Sequence, residues 1–229
     1  MKLARNSRRW ISVPIILTAV LAVAGNWYIS AAAFMSLIFM VFFHRDPDRL
    51  PQSEGMLSPA DGRIILATPE QVTVFRGLGD VHVNRAPLDG TIISLEHRKG
   101  THLPAFLNRA SQNQQSRMRI ETEDGEIQLS QITGTIVREI VCYVKPGDHV
   151  LRGERIGMIR FGSRVETSIP RGYKLQVSLG DSVRAGKTVI AVKLHSGASE
   201  ALVASGESVE SRAPTSEISA APDVPGASS

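Results

Sequence analysis

Residues 144–159 read VKPGDHVLRGERIGMI, and residues 177–192 read VSLGDSVRAGKTVIAV. Both copies fit the pattern V-x-x-G-D-x-V-x-x-G-x-x-[IV], and they lie 33 residues apart. Each copy predicts a tight turn at Gly-Asp, a short strand, and a second glycine turn that leads into the next strand. The pair therefore predicts two β-hairpins related by a quasi-twofold axis in a mainly β domain.

This repeat resembles the barrel-sandwich hybrid fold of biotinyl and lipoyl carrier domains. A carrier domain presents a modified lysine at the hairpin tip between its repeats, usually beside a methionine or an acid. Lys174, in the segment RGYKLQ, lacks those neighbours. The resemblance therefore implies a barrel-sandwich hybrid-like architecture without the carrier chemistry.

Between the two copies lies the pentapeptide Arg160-Phe161-Gly162-Ser163-Arg164. One interpretation is an ordinary turn, because Gly-Ser is a common turn dipeptide. The other is self-cleavage, because glycine leaves its carbonyl uncrowded and lets the backbone bend into strained geometry. Attack of Ser163 on the Gly162 carbonyl, an N-to-O acyl shift and an elimination would cut the chain and leave a pyruvoyl group at position 163.

Composition limits the remaining possibilities. A chain of 229 residues has room for one domain with appendages, and its only cysteine, Cys142, excludes an intramolecular disulfide and a cysteine-based metal cluster. The net charge is +4, and residues 1–195 alone carry +8. Because no RNA-binding aromatic motif or zinc-finger pattern accompanies this charge, we expect an anionic lipid surface as the partner and no nucleic acid.

The first 43 residues predict a membrane anchor. Residues 11–43 contain no charged residue, and one straight helix of that length would measure about 50 Å, well beyond a hydrocarbon core of about 30 Å. We therefore expect a break at Gly25-Asn26. Two short apolar arms favour a helical hairpin or a re-entrant, interfacial anchor over two full spans.

Positive charges flank both ends of this anchor, with Arg8 and Arg9 before it and Arg45 and Arg49 after it. This arrangement predicts that both ends lie on the cytoplasmic face of the cell membrane. A cleavable secretory signal is the alternative, but its removal would leave the second apolar arm in place. Residues 44–195 predict a soluble, β-rich domain, and residues 196–229, rich in Ser, Ala, Gly, Glu and Pro, predict a disordered tail.

Four segments occur in order along the chain: FFHRDP at 42–47, SPADG at 58–62, GDVHVNRAP at 79–87 and GDHVLRGERIGMIRFGSR at 147–164. Together they resemble the short form of the phosphatidylserine decarboxylase family, whose members are pyruvoyl-dependent membrane enzymes and include archaetidylserine decarboxylase-like proteins. The resemblance covers roughly residues 40–195. Head-group chemistry is the same for diacyl and ether-linked lipids, so both substrates stay open.

The resemblance implies conversion of phosphatidylserine to phosphatidylethanolamine and CO2 through a Schiff base with a covalent pyruvoyl group made from Ser163. That group is an electron sink and takes the place of PLP. The implied cleavage lies between Gly162 and Ser163. It gives a β chain of residues 1–162 and an α chain of residues 163–229, which form a heterodimer whose higher oligomeric state is open.

Two further residues match the family motifs. Asp61 in SPADG matches an aspartate that assists autocatalytic cleavage, and His82 matches a histidine associated with decarboxylation. Longer bacterial members carry a second histidine where this chain has Arg85. The base that activates Ser163 is therefore left open between His82 and Asp61.

Substrate-binding candidates complete the set, and no metal site is expected. Arg160, Arg164 and Arg138 are suited to bidentate contacts with a phosphodiester or a carboxylate, although solvated strand charges are the alternative. Asn113 matches a family asparagine in a polar loop. A membrane-anchored barrel-sandwich adaptor without catalysis is the second hypothesis for the chain as a whole. It would be favoured by an extended helical hairpin between the repeats, and the sequence contains none there.

Overall fold

The computed structural model describes residues 2–101, 103–106, 108–135 and 139–194. The expectations for Arg138 and for a disordered tail at residues 196–229 lie outside the described residues. Up to Leu194 the chain forms one compact unit.

Two helices open the chain, α1 (Arg8–Val23) and α2 (Trp27–Phe43). They pack against each other, and the break falls at the predicted position, where Gly25 has a φ of +73° that favours glycine. The predicted helical hairpin is therefore confirmed. Among the described residues, no helix combines the length and the apolar character that crossing a membrane requires.

The rest of the described chain is mainly β. Its strands are β1 (Met56–Leu57), β2 (Gly62–Ala67), β3 (Gln71–Arg76), β4 (Val83–Arg85), β5 (Gly90–Arg98), β6 (Gln115–Thr122), β7 (Gly125–Thr133), β8 (Ile140–Cys142), β9 (His149–Val150), β10 (Arg155–Ile159), β11 (Ser163–Ser168), β12 (Tyr173–Leu175), β13 (Ser182–Val183) and β14 (Val189–Lys193). A short 3₁₀ helix, Asn108–Gln112, precedes β6.

These strands form three antiparallel sheets. The largest has the order β13-β2-β3-β11-β7-β6-β5-β9, and the two smaller sheets have the orders β1-β14-β12 and β4-β10-β8. The mainly β class is confirmed, and the strands of the described residues do not close into a barrel, because the edge strands β13 and β9 do not pair with each other. One apolar core joins all three sheets and includes Ile64, Met56 and Ile156.

The hairpin repeat is present in three dimensions. Gly147 and Gly180, which are equivalent in the two copies, have φ values of +91° and +92°. The following aspartates make the same turn, since Asp148 accepts a hydrogen bond from the Lys145 N–H at 3.0 Å and Asp181 accepts one from the Ser178 N–H at 2.8 Å. Each copy thus begins with the Gly-Asp turn that its sequence predicts.

The symmetry extends to the strands that receive these hairpins. β2 pairs with β13 and β5 pairs with β9, so Asp61-Gly62 and Asp89-Gly90 occupy equivalent places. Asp61 Oδ1 accepts the Ala185 N–H at 2.8 Å, and Asp89 Oδ1 accepts the Arg152 N–H at 2.9 Å. A capping role for an aspartate at this turn is therefore common to both halves of the fold.

Candidate active site

Ser163 is the first residue of β11 and lies inside the largest sheet. It pairs with Arg76 on β3 and with Thr133 on β7. Its side chain is fully buried, and its Oγ has no hydrogen-bond partner within the described part of the chain. A buried hydroxyl without a partner costs about 1–3 kcal/mol, so its presence calls for a functional explanation.

The backbone immediately before Ser163 is strained. Phe161 and Gly162 have φ values of +57° and +50°. Glycine tolerates this conformation, whereas a phenylalanine in the left-handed region costs about 1–2 kcal/mol. The strain therefore lies next to the Gly162–Ser163 peptide bond that the self-cleavage interpretation would break.

Gly134 holds the carbonyl of that bond in place. A Cβ atom at position 134 would lie 3.1 Å from the Gly162 carbonyl carbon and would overlap its oxygen. Only glycine allows this approach, and the sequence analysis did not identify it. The available signal was an isolated glycine directly after an apolar strand, which is typical of a close backbone approach.

The Gly134→Ala variant is expected to lose self-cleavage, because the added methyl group displaces the Gly162 carbonyl from Ser163. The fraction of cleaved chain on a denaturing gel measures this effect. Gly79→Ala is the matched control, since position 79 has open space around it and no positive φ. Cleavage of Gly134→Ala at the rate of this control would show that the contact does not matter.

His82 is fully buried and presents a free lone pair. It lies just before β4, and its neighbours Val81 and Val83 are also buried. Its Nδ1 lies 2.8 Å from the Asp80 carbonyl oxygen. Because a carbonyl only accepts, Nδ1 carries the proton and Nε2 keeps its lone pair. Nε2 has no partner among the described residues.

Burial keeps this imidazole neutral. Desolvation, together with the positive charge of Arg76, lowers the pKa of His82 to about 2. Arg76 is itself fully buried and donates from Nη1 to the His82 carbonyl oxygen at 2.8 Å. Because Arg76 also lies opposite Ser163, it connects the two predicted residues, and the sequence analysis did not identify it.

Phe43, the last residue of α2, packs against both His82 and the strained turn. Its ring centroid lies 3.9 Å from that of His82 and 4.3 Å from that of Phe161. The helical hairpin therefore contributes a wall of the candidate site. In the sequence Phe43 belongs to the segment FFHRDP, but no role at the site was predicted for it.

Arg160 ties the N-terminal segment to the site. Its guanidinium is fully buried, pairs with Glu139 at 2.5 Å and donates to the Asn6 carbonyl oxygen at 3.0 Å. Nε donates to His44 Nε2 at 3.3 Å. The structure thus gives Arg160 protein partners in place of an open position for substrate.

Arg164 lies on the opposite face of β11 from Ser163, because side chains alternate along a strand. It is buried and forms an ion pair with Glu166 at 2.6 Å. The structure therefore does not bring Arg164 to the Ser163 side chain.

Asn113 forms four hydrogen bonds that fix the end of the strand beside Ser163. Its Oδ1 accepts from the Thr101 hydroxyl and the Leu103 N–H, both at 2.9 Å. Its Nδ2 donates to the carbonyl oxygens of Leu103 at 2.7 Å and Thr133 at 2.8 Å. These four bonds use the whole capacity of the amide, so Asn113 positions the strand end next to Gly134.

Asp61 and Arg85 are engaged elsewhere. Arg49 binds both carboxylate oxygens of Asp61, in addition to the cap on Ala185. Arg85 donates to Asp46 at 3.2 Å and to the Gly153 carbonyl oxygen at 2.8 Å. Neither side chain contacts Ser163 in these interactions.

Comparison with known proteins is consistent with this site. A family model described as phosphatidylserine decarboxylase matches residues 37–191. A protein of Methanococcoides burtonii, named as an archaetidylserine decarboxylase proenzyme, is 38% identical over 200 residues that cover 83% of this chain and 96% of the relative. A phosphatidylserine decarboxylase proenzyme of Streptomyces griseus is 38% identical over 201 residues, which cover 83% of this chain and 93% of the relative.

A third similar protein, the phosphatidylserine decarboxylase proenzyme of Aromatoleum aromaticum, is 36% identical over 203 residues that cover 82% of this chain and 94% of the relative. These matches span the hairpin repeat and the segments around Asp61, His82 and Ser163. They describe enzymes, which excludes the hypothesis of a non-catalytic adaptor. The protein is therefore a decarboxylase, a carboxy-lyase, and the chain belongs to the phosphatidylserine decarboxylase family.

Proposed function

We propose that this protein is a self-cleaving enzyme that converts phosphatidylserine to phosphatidylethanolamine and CO2. The observation that carries the proposal is the buried Ser163 Oγ without a described partner, directly after a turn that is strained at Phe161 and whose Gly162 carbonyl lies against Gly134. The similar proteins of Streptomyces griseus and Aromatoleum aromaticum are named phosphatidylserine decarboxylase proenzymes, which supports both the substrate and the processing.

Self-cleavage begins when Ser163 Oγ attacks the Gly162 carbonyl carbon, which turns the peptide bond into an ester. β-Elimination then releases the Gly162 carboxylate as the end of one fragment and leaves dehydroalanine at position 163. Water hydrolyses the imine tautomer of this residue, which releases ammonia and leaves a pyruvoyl group at the start of the other fragment. His82 is the better base for Ser163, because its Nε2 lone pair is free within the described residues, whereas the carboxylate of Asp61 is held by Arg49. Asp61 is then a positioning residue that holds Arg49 and the Ala185 turn.

The residues at this position fit a pyruvoyl group. Ser163 supplies its atoms, and its side chain is buried at the position of β11 that pairs with Arg76 on β3. A pyruvoyl group supplies an electron sink for the carbanion that remains when CO2 leaves, the task that PLP performs in other decarboxylases. His82 then exchanges a proton at Nε2, while its Nδ1–H donates a hydrogen bond to the Asp80 carbonyl oxygen.

The two fragments are expected to stay together as a heterodimer. β11, the first strand of the shorter fragment, lies between β3 and β7 of the longer one, and β14 pairs with β1. The cut therefore falls at the start of a central strand, and separation would break sheet hydrogen bonds and open the core.

The helical hairpin is the proposed anchor at the cytoplasmic face of the membrane. Its apolar side chains are exposed over both helices, with Val13 at 63%, Met35 at 63% and Tyr28 at 92%. A surface of this kind favours insertion at a membrane interface. The substrate lipid then remains in the bilayer while its head group reaches the site.

Purified wild-type protein tests the proposal. On a denaturing gel it should separate into residues 1–162 and residues 163–229, and the shorter fragment should react with carbonyl reagents at its N-terminus. The protein should then release CO2 from vesicles that contain either phosphatidylserine or its ether-linked counterpart. An intact chain without a reactive carbonyl would contradict the proposed mechanism.

A further inference from the structure

We propose that a groove at the base of the helical hairpin binds the phosphodiester of the substrate lipid through Arg184 and Lys187. This inference rests on the proposed function and adds a substrate-binding site to it. The groove has a volume of about 800 Å³ and lies between the segment after α2, the turn before His82 and the second hairpin repeat. Volumes of about 300–1,000 Å³ are typical of small-molecule sites.

The groove connects the proposed membrane surface with His82. Arg45 lines one side, and its guanidinium lies 3.9 Å from the ring centroid of Phe42, an exposed residue of α2. Asp80 lines another side, and its carbonyl oxygen accepts the Nδ1–H of His82. A lipid whose chains lie along the hairpin would therefore place its head group between Arg45 and His82.

Of the four cations that line the groove, only Arg49 forms an ion pair with a described residue, and Arg45 donates to the carbonyl oxygens of Phe42 and Gly79. Asp48 already pairs with Lys2 at 3.0 Å and with Arg155 at 2.8 Å, and Asp61 pairs with Arg49. Arg184 and Lys187 form no ion pair with any described residue. These two side chains are therefore available to an anionic ligand.

A buried cation, Arg76, lies close to two of the carboxylates that line the groove. Arg76 is fully buried and interacts electrostatically with Asp61 and Asp80, both of which line the groove. Because the interior screens charge less than water does, this cation offsets the negative charge that Asp61 and Asp80 bring to the groove.

The hairpin repeat shows that the fold itself does not require these cations. Arg184 and Lys187 correspond to Leu151 and Glu154 in the first copy. The equivalent groove, of about 400 Å³, contains the acidic residues Asp89, Glu121, Glu123 and Asp124. The groove beside the helical hairpin thus combines four cations with three aspartates, whereas the described lining of the other groove has four acids and no lysine or arginine.

The chemistry favours a phosphodiester. Guanidinium and ammonium groups bind phosphate oxygens through charge-assisted hydrogen bonds. The phosphodiester is common to substrate and product, so this site would position the lipid in the same way before and after CO2 leaves. Arg184 and Lys187 are therefore expected to affect binding more than the chemical step.

The test is the double variant Arg184→Gln/Lys187→Gln on phosphatidylcholine vesicles with increasing phosphatidylserine. We expect normal self-cleavage, a kcat close to that of the wild type, and a KM raised about tenfold or more for each lost contact. Arg171→Gln/Lys174→Gln removes the same charge from exposed positions outside the groove and should leave KM unchanged. An unchanged KM in the groove variant would overturn the proposal.

A binding measurement separates this proposal from the catalytic one. Water-soluble glycerophosphoserine and glycerophosphoethanolamine should bind the uncleaved Ser163→Ala chain by calorimetry, and the groove substitutions should weaken both. Equal binding of free serine would assign the groove to the carboxylate and overturn the phosphodiester assignment. The groove variant could instead bind phosphatidylglycerol vesicles more weakly and bind the soluble head groups as well as the wild type does. That result would also overturn the phosphodiester assignment, because the two cations would then recognise the charge of the membrane surface.

If the wild type neither cleaves itself nor releases CO2, the proposed function fails. Head-group binding to the groove still decides the present proposal in that case. The single variants Arg184→Gln and Lys187→Gln provide the same comparison should the double variant fold poorly.

Discussion

The Ser163→Ala variant is expected to remain a single chain of 229 residues and to release no CO2 from phosphatidylserine. Without Oγ there is no nucleophile for the Gly162 carbonyl, and no pyruvoyl group forms. Because Oγ has no hydrogen-bond partner in the described residues, its removal should not destabilise the fold. Denaturing gels, release of labelled CO2 and thermal unfolding measure these three effects.

Ser168→Ala is the matched control for this experiment. Ser168 ends the same strand, and its Oγ accepts the Gln128 N–H at 2.8 Å. This variant should cleave normally. A cleaved Ser163→Ala chain would move the reactive position to another residue and remove the central element of the proposed mechanism.

The His82→Gln variant should lose decarboxylation by about a hundredfold to ten-thousandfold, the usual contribution of a general acid or base. Glutamine keeps a polar side chain next to Asp80 but has no titratable nitrogen. If His82 also activates Ser163, self-cleavage slows in parallel, which a time course of fragment formation would measure. His97→Ala, at an exposed position of β5, is the control and should behave like the wild type.

The same variant tests the buried state of His82. Its folded-state pKa is lowered to about 2, whereas in the unfolded chain it is about 6.5. Between about pH 6.5 and pH 2 the unfolded chain takes up a proton at this histidine that the folded chain does not. The free energy of unfolding therefore falls as pH falls, by up to about 1.4 kcal/mol per pH unit.

Chemical denaturation of Ser163→Ala at pH 7.5 and pH 5 would show this loss, and adding His82→Gln should reduce it. Burial also lowers the pKa of His44, so part of the pH dependence should remain. An identical pH dependence with and without His82 would show that this histidine is accessible to protons in the folded chain.

Local sequence patterns were sufficient for the architecture. The hairpin repeat depends on Gly-Asp turns at Gly147 and Gly180, and glycine is the residue that reaches their positive φ values without strain. The break at Gly25 follows from an apolar segment too long for one span. Such features depend on nearby residues, so they can be predicted without knowing what packs against them.

The roles of the candidate residues depended on long-range contacts. The sequence suggested Arg160 and Arg164 for substrate, whereas the structure pairs them with Glu139 and Glu166. The residue type alone does not show whether a charged side chain lies in an open groove or in a buried ion pair. Its partners are decided by the fold, which explains why residue type alone did not separate these cases.

By itself the sequence determined the mainly β class, the helical hairpin, the repeat and the position of Gly162-Ser163, because turns and apolar periodicity are local properties of the chain. Only the tertiary structure brought Gly134 against the Gly162 carbonyl and packed Phe43 against both His82 and Phe161. These contacts join residues far apart in the chain. They arise from the pairing of strands and the docking of α2, which no single segment specifies.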